Sequence, residues 1–440
     1  MTTVAFIGAG SVKFTSDLVA NILAFPELAT AALRLHDVDA SRLATAGMVA
    51  ESVARQLGAA PRVSMHASRR DALEGADFVI NTVLIGGAAA AATDLEVPER
   101  FGVRQTVGDT LGIGGILRGV RTLPFLRQLA EDMAVACPDA FLLNYTNPMA
   151  MSIGYLARIA PSLKAFGLCH SVHHTVADLC ALLGVDREEV VWTSAGVNHQ
   201  AWVLRFEHAG ENLYDRLDAR IRADPELRRS LRVDMYRRFG FFPTETSKHN
   251  SEYVPWYLPR PDEVDRLRLP GVSDRLRANA DDVRESEQVR TALERGEEVR
   301  LPDGAVEYAP QIIHSVVSGS PRVIQVNTPN TGLIGNLPAG APVEVGASVD
   351  ASGVHPWHVG DLPAVCAALN RSYLNVVELT IEAVLREDPR AIRHAAMLDP
   401  STAAALPVDR IWDLCDALVA AHGDVLPRWA RAPVSADGSR

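Results

Sequence analysis

Apolar runs and helical periodicities alternate along the first third of the chain. Val4 to Ile7 predicts a short strand, and the apolar positions from Leu18 to Phe25 predict a helix behind it that stops at Pro26. Leu33 to Leu35 predicts a second strand ending at His36-Asp37, after which Asp39 opens a helix from Ser41 to Gln56. Phe78 to Leu84 is almost wholly apolar, as a strand covered on both faces should be. Val120, Leu123, Leu126, Leu129 and Met133 recur at helical spacing, Pro138 follows them, and Phe141 to Tyr145 predicts another buried strand. Strand, helix, strand in this order predicts an α/β fold, a parallel sheet wound with helices on both faces.

Past residue 190 the pattern changes. Val190 to Thr193 and Val197 to Phe206 predict longer strands with mixed faces, and Asp215 to Arg238 a charged helical stretch. Pro259 to Arg300 is dominated by Asp, Glu and Arg and predicts a solvated helical surface. Val323 to Asn327 and Pro342 to Val345 predict strands around an Asn-Thr-Gly turn at Asn330 to Gly332, and Leu362 to Leu398 is helical again. The expected organisation is a parallel-sheet domain over 1–190, an α+β domain over 191–430 and a frayed tail over 431–440.

Composition narrows the classes. A chain of 440 residues with 48% hydrophobic and 22% charged residues suits a soluble globular protein of about two or three domains. The net charge of −11 argues against a nucleic-acid partner. Five scattered cysteines are no disulfide framework and point to a reducing compartment. The longest apolar stretch, near Val79 to Ala92, is broken by Asn81 and Thr82 and is too short for a membrane span. Nothing before Val4 resembles a signal segment, so a cytoplasmic protein without a membrane partner is expected. Only three of the 43 basic residues are lysines, Lys13, Lys164 and Lys248.

Three clusters carry candidate chemistry. Gly8-Ala9-Gly10-Ser11 directly follows the first strand, where glycines let backbone N–H groups approach a pyrophosphate at a helix N-terminus. Lys13 stands where the third glycine of the dinucleotide fingerprint would be. Asp37 ends the second strand, where a carboxylate binds both ribose hydroxyls and repels a 2′-phosphate, favouring NAD over NADP. The second cluster is Cys169-His170-Ser171-Val172 with the distant Asn198-His199; thiol and imidazole suit a divalent transition metal, while His173 and His174 read as helix N-terminal residues. The third is the polar run Thr244 to Tyr253, read as a loop facing a cleft. There Tyr253 or Tyr257 can serve as a base if cations lower its pKa.

The motifs form an ordered set: Gly8-Ala-Gly-Ser11, Asp109-Thr-Leu-Gly-Ile-Gly-Gly115, Asn144-Tyr-Thr-Asn-Pro148, Cys169-His-Ser-Val172, Asn198-His199, Thr244 to Tyr253 and Asn330-Thr-Gly-Leu-Ile-Gly-Asn-Leu-Pro338. The set resembles glycoside hydrolase family 4, the NAD- and manganese-dependent glycosidases, and Cys-His-Ser-Val is the form found in its α-galactosidases. The resemblance implies a Rossmann-like domain similar to lactate and malate dehydrogenases with a C-terminal α+β domain. It implies NAD on Gly8, Gly10, Ser11 and Asp37, and manganese or another divalent metal on Cys169 and His199. Asn147, Lys248 and His249 are expected to bind an α-glycoside, Asp109 to raise the basicity of the base, and His170 to protonate the leaving oxygen. Tyr253 is the expected base and Tyr257 the alternative. The implied chemistry is oxidation at carbon 3, proton loss at carbon 2, departure of the glycosidic oxygen, water addition and re-reduction, without a carboxylate pair.

Phospho-sugar members place an arginine a few residues after the third strand, and here Gly87 to Thr93 offers no cation. Alternatives are an α-glucoside or an α-uronide as substrate, or a simple NAD-dependent 2-hydroxy-acid dehydrogenase, which would not need Cys169. A homodimer or homotetramer is expected.

Overall fold

The computed structural model describes residues 1–302 and 307–434. Its first elements are β1 (Thr3–Ile7), α1 (Val12–Leu23), β2 (Ala32–His36), α2 (Ala40–Leu57), β3 (Arg62–His66), α3 (Arg69–Leu73) and β4 (Phe78–Asn81). There follow α4 (Gly87–Arg100), α5 (Gly112–Ala136), β5 (Phe141–Asn144), α6 (Met149–Ile159), β6 (Lys164–Gly167) and α7 (Ser171–Leu183). The chain continues through β7 (Val190–Val197), β8 (Gln200–His208), β9 (Glu211–Asn212), α8 (Leu213–Ala223), α9 (Leu231–Phe239), β10 (Phe242–Pro243) and α10 (Ser247–Glu252). The remainder comprises α11 (Pro261–Leu267), α12 (Val272–Glu294), α13 (Tyr308–Ser318), β11 (Arg322–Pro329), β12 (Pro342–Asp350), β13 (Gly353–Pro356) and α14 (Ala364–Arg386). It ends with α15 (Pro389–Leu398), α16 (Pro400–Ala405) and α17 (Val408–His422).

Residues of β1 alternate between two cores, because successive strand side chains point to opposite faces. Val4 and Phe6 pack with α1, α2 and α13, while Ala5 and Ile7 pack with α5, α6 and α14. The parallel strands run β3-β2-β1-β4-β5-β6, the doubly wound order, with the chain reversing direction across the sheet between β1 and β4. Such a switch point opens a crevice at the carboxyl ends of the strands. Beyond β6 the same sheet continues antiparallel through β11, β12, β7, β8 and β10. The join pairs Gly167 with Asn327, so one sheet runs on past residue 190 without a break.

Several boundaries differ from the sequence pattern. The first helix starts at Val12, six residues before its apolar periodicity begins, because the glycine turn feeds straight into it. The third apolar run ends as a strand at Asn81, whose buried side chain donates to Asn144 Oδ1 at 2.7 Å. Pro225 divides the charged stretch after Asp215 into two helices. Thr244 to Tyr253 is no open loop: Thr246 caps the short helix α10 by accepting the His249 N–H. Of the expected tail, residues 435–440 lie outside the described residues.

The C-terminal helix is tied to the sheet domain by buried charge. Asp94 Oδ1 accepts from Arg121 Nη1 at 3.0 Å and lies 2.8 Å from His422 Nε2, joining α4, α5 and α17. All three side chains are buried, and each is paired, as a buried charge must be. No described helix is long and apolar enough to cross a membrane.

Candidate active site

The carboxyl ends of the parallel strands deliver the site. At the first, Gly8 has φ +90°, and a Cβ there would stand 2.9 Å from Val83 Cγ2. A Cβ on Gly10 would collide with the Asp37 carboxylate. That carboxylate accepts the Gly10 N–H at 2.8 Å and the Asp39 N–H at 2.9 Å, so Asp37 braces the turn while remaining half-buried. Beside Ser11, Lys13 and Asp17 lies a cavity of about 750 Å³ reaching His170 and Glu307. Bare backbone at a helix N-terminus, space along it and an acid at the end of β2 fit a dinucleotide.

A second group forms where β6, the β7–β8 hairpin and the segment before α10 meet. Cys169 follows β6. His199 occupies the two-residue turn between Val197 and Gln200 with φ +65°, and Glu245 has φ +68°. Non-glycine residues held in that region are strained, and such strain clusters at functional sites. Donor atoms of Cys169, His199 and Glu245 all lie within 4.8 Å of one another, with His199 Nε2 3.7 Å from Glu245 Oε2. A thiolate, an imidazole and a carboxylate form a donor set fit for a divalent transition metal. Asp109, His199 and His249 form an overlapping group.

The electrostatics favour positive charge here. Burial alone would depress His199, but Cys169 and Glu245 outweigh it and push its pKa up to about 10. Glu245 and Asp109 are both held well below the usual carboxylate range: burial opposes this, but His199 and His249 dominate at Glu245, and His249 with Arg118 at Asp109. Tyr253 is fully buried. Burial, reinforced by Tyr373, Glu252 and Asp109, pushes its pKa up.

The structure brings most of the sequence candidates together. Asn147 Nδ2 donates to Asp109 Oδ2 at 3.2 Å, and Arg118 Nε donates to the Asn147 carbonyl. Tyr253 Oη stands 3.2 Å from His199 Nδ1. His249 lies 3.0 Å from Glu245 Oε1, with its ring centroid 4.6 Å from that of His199. His170 Nε2 is 2.8 Å from Glu307 Oε2 at the cavity wall, and His173 and His174 sit in the first turn of α7. Two candidates stand apart. Tyr257 donates to Asp234 Oδ2 at 3.0 Å, and Lys248 is exposed, entering only through its carbonyl, which accepts from Thr106 Oγ1.

Sequence reasoning passed over four carboxylates and a hydroxyl. Glu245 and Glu252 lie in the polar run Thr244 to Tyr253, where nothing separates a buried acid from a solvated one, whereas Glu307 stands alone among apolar sequence neighbours. Glu252 is fully enclosed, and one of its oxygens accepts the N–H groups of Thr106, Val107 and Gly108, fixing the loop that carries Asp109. Glu344 on β12 had a visible signal, an acid inside the apolar run Val343 to Val345. It is buried beside Asn198 and Asn327 with neither oxygen in hydrogen-bonding geometry, and burial pushes its pKa up to about 7. The hydroxyl is Thr110, 3.0 Å from His199 Nδ1.

A doubly wound sheet with a glycine turn at its switch point and a thiolate–imidazole–carboxylate set at its strand ends defines a Rossmann-type protein with a candidate metal centre. The model of the family 4 glycosyl hydrolases matches residues 3–185 and that of their C-terminal domain residues 194–402, and the chain belongs to this family of glycosidases. It is 36% identical to an α-galactosidase of Bacillus subtilis (strain 168), over 98% of this chain and 100% of that one. An α-galactosidase of Rhizobium meliloti (strain 1021) is 34% identical over 98% of this chain and 90% of its own. Among solved structures, a 6-phospho-α-glucosidase from gut microorganisms in complex with NAD and Mn2+ superposes with a TM-score of 0.80 at 19% identity, covering 97% of this chain and 99% of that one.

Proposed function

We propose that this chain hydrolyses α-galactosides with NAD and a divalent metal, manganese by preference. The observation that carries the reading is the grouping of Cys169, His199 and Glu245 beside the Asp109–Asn147 pair, at the same end of the sheet as the glycine turn. Gly8, Gly10 and the start of α1 would receive the pyrophosphate and Asp37 the ribose, while Cys169 and His199 would hold the metal. When bound, NAD supplies reversible hydride acceptance from the sugar and the metal supplies Lewis-acid polarisation of sugar oxygens.

The remaining work falls to the chain's own side chains. Tyr253, touching His199, is placed to take the proton from carbon 2, and positive charge held at His199 would counter the burial that raises its pKa. Asn147 binds the sugar, and the Asp109 carboxylate it touches raises the basicity of Tyr253. His170, gripped by Glu307, delivers a proton to the departing oxygen. The first two turns of α4, Gly87 to Thr93, carry no cation for a phosphate, and the two α-galactosidases support a neutral galactoside.

The test is hydrolysis of a nitrophenyl α-galactoside by the chelator-stripped protein, with NAD and Mn2+ added singly and together. Turnover is expected only with both. Turnover with neither would overturn the reading.

A further inference from the structure

We propose that Glu245 is a third protein ligand to the divalent metal, alongside Cys169 and His199. This rests on the reading of a metal-dependent enzyme given above.

The argument starts from His199. Its Nδ1 faces the Thr110 hydroxyl and Tyr253 Oη, while Nε2 is the nitrogen turned to Glu245. The Thr110 hydrogen is donated to Asp109 Oδ1, so the hydroxyl accepts from Nδ1–H, and Nε2 is the nitrogen that would give up its proton to a metal. Glu245 Oε1 is occupied by His249 Nδ1 and by the Thr246 N–H. That leaves Oε2 aimed at His199 Nε2 from 3.7 Å, too far for a hydrogen bond. An imidazole nitrogen, a carboxylate oxygen and a sulfur thus face one small space, where a cation replacing the Nε2 proton would meet all three.

Three further features agree. A spread of at most 4.8 Å is what three donors at 2.0–2.5 Å around one ion span. Thiolate and carboxylate together cancel a divalent charge, which matters in a half-buried site where an unbalanced charge is costly. Both His199 and Glu245 are held at positive φ, and those two strained backbones are what bring Nε2 and Oε2 face to face. The rival group does not compete well. His249 is engaged by Glu245 and lies 3.6 Å from Asp109, and His199 turns Nδ1, not Nε2, towards the Asp109 side.

The experiment is a titration of the chelator-stripped full chain with Mn2+ in the presence of NAD and without substrate, read by the electron paramagnetic resonance of free Mn2+. Glu245→Gln keeps the shape and loses the charge, and its Mn2+ dissociation constant should rise at least about tenfold, as metal-site substitutions commonly do. Glu245→Asp should recover part of the loss, and NAD affinity should stay unchanged in both, which certifies the fold. If Glu245→Gln does not fold, Glu245→Asp alone must still bind Mn2+ more weakly than the unsubstituted chain. Unchanged Mn2+ affinity in a folded Glu245 variant overturns this inference and leaves the functional reading intact. Failure of the unsubstituted chain to bind Mn2+ overturns both.

Discussion

Thr110 decides which nitrogen His199 offers. Its hydroxyl lies 3.0 Å from Nδ1 while giving its own hydrogen to Asp109 Oδ1 at 2.7 Å, so Nδ1 keeps its proton and Nε2 is the nitrogen that gives up its own to a metal. Thr110→Val keeps the shape and removes this acceptor. Metal affinity should fall about 10–100-fold, the usual cost of losing a group that orients a ligand, and Thr110→Ser should restore it. Equal metal affinity in Thr110→Val would show that Tyr253 alone orients the ring.

Asp37 braces Gly10, and the proposed function gives it the ribose as well. Asp37→Ala should weaken NAD binding by about 1.5–3 kcal/mol, the range for hydrogen bonds to a charged acceptor, with a further loss from the freed Gly10 N–H. Calorimetric titration with NAD checks this, and undiminished affinity would remove Asp37 from the site.

Tyr253→Phe should cut kcat by about 10²–10⁴-fold, the typical contribution of a positioned base. Tyr257→Phe should leave kcat nearly unchanged and cost about 1 kcal/mol of stability through its lost bond to Asp234. In deuterium oxide the products should carry deuterium at carbon 2, because the proton taken there exchanges with solvent. Product formed without that label would exclude proton removal at carbon 2.

Glu252 holds three successive N–H groups immediately before Asp109. Glu252→Gln should lower stability by about 1–3 kcal/mol, because a buried set of donors loses its charged acceptor. It should also lower kcat more than it raises KM, since Asp109 loses its setting while the rest of the sugar site stays in place. Steady-state kinetics beside denaturant unfolding separates the two effects.

Asp399 gives the pH dependence. Its buried carboxyl accepts N–H groups from Thr402 and Gly112, yet burial outweighs them and its pKa is pushed up from 3.8 to about 6. An acid with a raised folded pKa binds its proton more tightly in the folded chain. Stability from this group is therefore greatest below pH 3.8, declines between pH 3.8 and 6, and is level above. At about 1.4 kcal/mol per pH unit the decline amounts to about 3 kcal/mol. Asp399→Asn should flatten that part of the curve in denaturant unfolding between pH 4 and 7, and an unaltered slope would exclude Asp399 as its source.

Local signals were readable from the sequence and contacts across the sheet were not. The turn from β1 into α1 and the acid closing β2 are written in consecutive residues, because a glycine turn and a strand end are fixed by near neighbours. The burial that pushes the Tyr253 pKa up left no mark in its own segment, because part of its enclosure comes from Tyr373 on α14, 120 positions along the chain. Glu245 and Glu252 fell within a run read as a loop facing a cleft but drew no role of their own, because burial by remote segments leaves no local trace. The polar run around them gave no helix, since one of six residues is too short to show a period.

The pairing of Gly167 with Asn327 makes the two halves of the sheet edges for each other. Cutting the backbone between residues 185 and 194 would leave each fragment with an open strand edge, the feature that makes sheets adhere. Cys169 would travel with one fragment, and His199 and Glu245 with the other. Neither piece alone could assemble the three-donor cluster, while a mixture of the two should regain it by docking edge to edge. The three-donor cluster is thus a product of the seam, inherited by neither half alone.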